Sequence, residues 1–155
     1  VKKPYIFVYT VDGKNTEFLK LVNIVSKTTN LPIVCPSKSL QRKSNFDNII
    51  RTYDYEGPEE FLYFLINADY IVTSSFHGTV FSLLFEKQFI SFVPSTNTSR
   101  LVDLMERIDC SDLLLRSSNN LTLENLYKKI DYEIINRNIK REREKSISWL
   151  LSALS

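Results

Sequence analysis

A single histidine occurs in 155 residues, and it stands in the segment Ser74-Ser75-Phe76-His77-Gly78-Thr79, directly after the run Tyr70-Ile71-Val72-Thr73. The run reads as a short buried strand, and the segment as the turn that starts a helix. A helix start aims several free backbone N–H groups and the positive end of the helix dipole at one spot, which favours an anion there. An imidazole at the same spot can protonate a leaving group or hold a phosphate. Ser74 and Ser75 add hydroxyls, and Gly78 removes a side chain where a ligand would approach the backbone. A lone histidine at a helix start usually serves the nearby backbone; the serines and the glycine beside His77 move the reading toward function. Ser75 taken alone is a helix cap, because no Gly-x-Ser-x-Gly elbow surrounds it.

Arg100 is the second charged candidate. It follows the polar loop Ser95-Thr96-Asn97-Thr98-Ser99, just after a strand that ends at Val93. A guanidinium there can fork onto a carboxylate or phosphate held by the neighbouring helix start. A surface arginine with ion-pair partners is the other reading, and both stand. Glu59 and Glu60 serve the dipole of their own helix. One histidine and scattered aspartates make no ligand cluster, so no protein-bound metal is expected; no cofactor is expected either.

These residues need a scaffold to bring them together. Strands are expected over Pro4–Val11, Leu31–Cys35, about Asn48–Thr52, Tyr70–Thr73 and Gln88–Val93, with Ser37–Asn45 as a polar loop. Helical spacing of apolar residues runs over Asn15–Lys27, and from Gly57-Pro58-Glu59-Glu60 through Phe61, Leu62, Phe64, Leu65 and Ala68. A further helix runs from His77 or Gly78 to Phe85. Ser99 is expected to cap a helix through Ile108 with Leu101, Leu104, Met105 and Ile108 facing inward, and Thr122 to cap another carrying Leu123, Leu126, Tyr127, Ile130 and Ile134. That last helix continues to Ile147, Leu150, Leu151 and Leu154 as a helical extension from about 122 to 155. Short strands alternating with helices, without internal repeat, predict a Rossmann-like α/β fold: a parallel sheet with helices on both faces. Ligands of such sheets bind outside the carboxyl ends of the strands, which is where the Ser74–Gly78 and Pro94–Arg100 loops fall.

With 43% hydrophobic residues, the chain suits one globular domain with a real core. A net charge of +2, with acidic and basic residues interleaved, argues against a nucleic-acid partner. The run Arg137–Lys145 reads as a solvated helix face or a contact with a further domain. The longest apolar runs are too short to span a bilayer. Two cysteines, Cys35 and Cys110, match no metal or redox spacing and suggest buried thiols in a reducing cytoplasm. The start at Val1 directly ahead of a strand suggests a piece of a longer protein.

In order along the chain, Lys3-Pro4-Tyr5-Ile6-Phe7-Val8-Tyr9, Gly57-Pro58-Glu59-Glu60-Phe61-Leu62, Asn67-Ala68-Asp69 through His77-Gly78-Thr79-Val80-Phe81-Ser82, Asn97-Thr98-Ser99-Arg100-Leu101-Val102-Asp103-Leu104-Met105 and Ser146–Leu154 resemble the C-terminal half of the polysaccharide pyruvyl transferase family. The Ser-Phe-His-Gly block in its strand–helix context is the specific part. The resemblance implies a two-domain, glycosyltransferase-B-like enzyme with its active site between the halves, this chain being the donor-binding half. It implies transfer of the enolpyruvyl carbons of phosphoenolpyruvate to sugar hydroxyls as a ketal, in the making of bacterial exopolysaccharide, capsule or cell-wall polymers. It places the family's histidine at His77 and its arginine at Arg100 as catalytic residues, with Ser74, Ser75, Gly78, Thr79, Asn97 and Ser99 around the donor. Expected partners are phosphoenolpyruvate, a saccharide acceptor, a preceding N-terminal domain and, peripherally, the polymer-synthesis machinery. A sugar-nucleotide-dependent glycosyltransferase and a non-catalytic assembly module are the alternatives.

Overall fold

The computed structural model describes residues 4–11, 13–36, 46, 48–51, 57–96 and 98–154. Six strands form one sheet: β1 Ile6–Tyr9, β2 Ile33–Cys35, β3 Ile49–Arg51, β4 Tyr70–Thr73, β5 Phe89–Phe92 and β6 Leu114–Leu115. Every pairing is parallel, in the order β3-β2-β1-β4-β5-β6. The chain therefore starts in the middle, builds outward through β2 and β3, and returns to lay β4 on the other side of β1. The order reverses between β1 and β4, where Tyr9 pairs with Thr73 at the carboxyl ends.

Side chains alternate across each strand, and both faces are apolar, as a parallel sheet covered on both sides requires. Ile6, Val8, Ile33, Val72, Ile90 and Phe92 pack on one face against Phe18, Leu21, Val22 and Val25 of α1 (Thr16–Thr29). Phe7, Val34, Ile71 and Phe89 line the other. They meet Phe64 and Leu65 of α2 (Pro58–Ile66), Leu83 of α3 (Phe76–Leu84), and Leu101 and Met105 of α4 (Ser99–Arg107). This is the α/β architecture expected from the alternating pattern.

Several local expectations shift. α3 starts at Phe76, ahead of His77, because Ser75 caps it by accepting from the Gly78 N–H at 3.4 Å. α4 starts at Ser99 itself; its N-cap is Thr98, in helical backbone and without a side-chain cap bond. The single C-terminal helix is two. Thr122 does cap, through a capping box with Asn125, but α5 (Leu123–Tyr127) stops after five residues. Asp131 then restarts the chain by accepting from the N–H groups of Glu133 and Ile134, opening α6 (Tyr132–Leu154). Leu123 and Tyr127 are exposed rather than part of a buried stripe. Tyr132 pins α6 by donating to the carbonyl oxygens of Lys87 and Ser82, and Ile135 is buried beneath it. Beyond Glu142 the helix stands free of the sheet, with Trp149, Leu151 and Leu154 exposed. β6 carries no strand signal of its own; two leucines are held beside β5 by Ser91↔Leu114 and Phe92↔Leu115. The loop expected over Ser37–Asn45 lies outside the described residues.

Candidate active site

The carboxyl ends of β1, β4 and β5 carry polar residues where the rest of each strand is apolar: Tyr9-Thr10, Thr73-Ser74-Ser75 and Ser91. They form a bed for the first turn of α3. Thr73 Oγ1 donates to the Tyr9 carbonyl at 2.7 Å and accepts from the Ser75 N–H at 3.1 Å. Thr79 Oγ1 bonds Ser91 Oγ at 2.6 Å and donates to the Ser75 carbonyl. Ser82 donates to the Gly78 carbonyl at 2.7 Å, and Ser74 bonds Thr10. The hydroxyl residues Thr73, Ser74, Thr79, Ser82 and Ser91 are buried, and each hydroxyl has the partner that burial demands.

Gly78 is part of this bed. Its backbone is ordinary, with no positive φ, but a Cβ there would lie 2.3 Å from Thr73 Oγ1 and 3.3 Å from a ring carbon of Tyr9. The space expected for an approaching ligand is taken up by the protein's own Thr73. Close packing of α3 on the strand ends is what this glycine provides.

On top of the bed sit the exposed groups. The N–H groups of Phe76 and His77 have no partner among the described residues, while those of Ser75, Gly78 and Thr79 are bonded to Thr73, Ser75 Oγ and the Ser75 carbonyl. His77 is exposed, its ring edge-on to Phe76 with centroids 5.8 Å apart. Arg100, also exposed, places its guanidinium carbon over the same phenyl ring, 4.9 Å from the centroid. No carboxylate among the described residues pairs with it. The loop after β1 closes toward the loop after β5 through Asn15, which caps α1 with its Oδ1 and reaches Ser95 Oγ at 3.2 Å with its Nδ2.

His77, Arg100 and the α3 start thus share one side of the reversal between β1 and β4, the position where sheets of this order take their ligands. Ser74, Ser75, Gly78 and Thr79 lie beneath the surface and shape the turn; Ser99 is exposed on the first turn of α4, and Asn97 lies outside the described residues. Sequence reasoning missed Phe76, Thr73, Thr10 and Asn15. Hydroxyl residues ending otherwise apolar strands were the available signal for Thr73. Nothing in the sequence marked Phe76 apart from its neighbours. The exposed set can engage an anion through two backbone donors, a fork of guanidinium donors and an imidazole. Among the described residues no group of three or more His, Cys, Asp or Glu side chains is gathered to hold a metal ion.

The family model for polysaccharide pyruvyl transferase matches residues 1–96, which take in β1 to β5 and the whole Ser74–Thr79 turn. The chain belongs to the polysaccharide pyruvyl transferase family. Comparison with curated proteins finds no match. Membership makes this a transferase-like protein of polysaccharide synthesis, and the matched segment ends just before Arg100. No helix among the described residues is long and apolar enough to cross a membrane.

Proposed function

We propose that this pyruvyl transferase domain binds phosphoenolpyruvate at the start of α3 and delivers its three carbons to a saccharide as a ketal. One observation carries the reading: Arg100 and an exposed His77 flank two N–H groups at the strand-order reversal, and among the described residues neither the guanidinium has a carboxylate partner nor the N–H groups an acceptor. Phosphoenolpyruvate presents a phosphate and a carboxylate a few ångströms apart and needs two anion holders. The positive end of α3 is one, and the guanidinium is the other.

In the reaction, the donor's methylene carbon gains a proton and becomes a methyl group. Two sugar hydroxyls bond to the central carbon, each losing its proton, and the C–O bond to phosphate breaks. His77 acts as general acid or stabilises the departing phosphate, work typically worth ~10²–10⁴ in rate. The acceptor side of the cleft falls to a second domain of a glycosyltransferase-B-like arrangement. The buried thiols of Cys35 and Cys110 suit a cytoplasmic setting for this chemistry.

A donor screen tests the reading. Phosphoenolpyruvate consumption with phosphate release supports it; release of a nucleoside diphosphate from a sugar nucleotide replaces it with a glycosyltransferase. In the full-length enzyme, His77→Ala should abolish turnover yet shift stability by less than about 0.5 kcal/mol, since the side chain is exposed and meets Phe76 only edge-on. Normal turnover in that variant removes His77 from the mechanism.

A further inference from the structure

We infer that Phe76 is the positioning residue of the site, holding Arg100 and His77 ready for an anionic donor; this rests on the donor-site reading above. Phe76 opens α3, its backbone set by the Ser75 cap one residue earlier, and its half-buried ring packs against the core on that face of the sheet. It is therefore an anchored surface beside two exposed side chains, a guanidinium and an imidazole. The guanidinium lies over that ring and the imidazole meets it edge-on.

The chemistry of the partner matters. Arginine has five N–H donors and substantial rotamer freedom. A carboxylate would restrain it but would occupy its donors and neutralise its charge, leaving little for a phosphate or carboxylate of the donor. A phenyl ring restrains the cation by its quadrupole while offering no acceptor oxygen and no charge. Among the described residues Arg100 has this ring contact and no ion pair, and the α4 start on which it sits has no side-chain cap. Phe76 thus lowers the ordering cost of binding without competing for the ligand.

The test uses the protein with phosphoenolpyruvate as the titrant, in wild type, Phe76→Leu, Phe76→Met, Phe76→Tyr, Arg100→Ala and the Phe76→Leu/Arg100→Ala pair, with thermal unfolding as a folding control. A contact of this kind corresponds to about two- to fivefold in an equilibrium constant, so either aliphatic variant should weaken binding by about that factor. Phe76→Tyr should restore it, and adding Phe76→Leu to Arg100→Ala should cost nothing more. Independently of any ligand, the Arg100 side-chain N–H resonance should lose its ring-current shift in both aliphatic variants. Wild-type affinity in folded aliphatic variants, full additivity in the pair, or an unmoved Arg100 resonance overturns the role of Phe76. Arg100→Ala binding as wild type, or no binding by wild type, instead defeats the donor-site reading. The Arg100 resonance then still decides whether Phe76 positions the arginine.

Discussion

Replacing Gly78 by alanine adds one methyl group, and two opposite effects compete. In a helix, alanine is favoured over glycine by roughly 0.5–1 kcal/mol, so a glycine kept only by chance would be improved. Here the new Cβ would sit 2.3 Å from Thr73 Oγ1 and 3.1 Å from its Cβ, in a fully buried spot. Overpacking of this kind costs about 1–3 kcal/mol. Moving Thr73 away also weakens its bonds to the Tyr9 carbonyl and the Ser75 N–H, each worth about 0.5–1.5 kcal/mol. The clash wins, and Gly78→Ala should destabilise by about 1–4 kcal/mol net, read from urea unfolding with an unchanged slope. Thr73→Ala removes the clashing oxygen, so the double variant should be less destabilised than the sum of the singles by about 1 kcal/mol or more. A neutral or stabilising Gly78→Ala, or strict additivity with Thr73→Ala, would refute the packing reason for this glycine.

Two further outcomes follow from contacts away from the site. Glu17 is held by Lys20 and by the hydroxyl and N–H of Ser118, which keep its carboxyl down at about 2 against an ordinary 4.5. Its contribution is complete above pH 4.5 and disappears as pH falls toward 2. The stability difference between wild type and Glu17→Gln should therefore be constant near neutrality and shrink through that acid window; a pH-independent difference would show that the carboxylate does not tie Ser118 to α1. Tyr132→Phe removes the bonds that pin α6 to the carbonyls of Lys87 and Ser82. It should cost about 1 kcal/mol, lowering the melting temperature by about 2–4 °C, and an unchanged melting curve would mean that Ile135 alone docks the helix.

The sheet was legible because its strands are runs of residues apolar on both faces, and its helices carry apolar stripes with ordinary start signals. The Ser74–Thr79 turn was legible because its polar residues interrupt such a run directly before a helix. What the sequence could not convey was which groups face outward. Ser74, Ser75 and Thr79 look like ligand groups in one dimension, yet their hydroxyls are used internally, by Thr10, by the Gly78 N–H and by Ser91. Arg100 and Phe76 are 24 positions apart, and no periodicity predicts a cation over a ring at that separation. The split between α5 and α6 escaped notice because helical spacing persists across it; Asp131, reading as one more polar residue, supplies the new cap.

The central claim is that the start of α3 and Arg100 together hold an anionic donor, and it is tested by titrating the ¹⁵N-labelled protein with phosphoenolpyruvate while following the amide resonances of Phe76 and His77. Both should move saturably at millimolar donor or below, and Arg100→Ala should suppress the movement while leaving the rest of the spectrum in place. Resonances that stay still in the wild type, or an Arg100→Ala variant that titrates as wild type does, would contradict it.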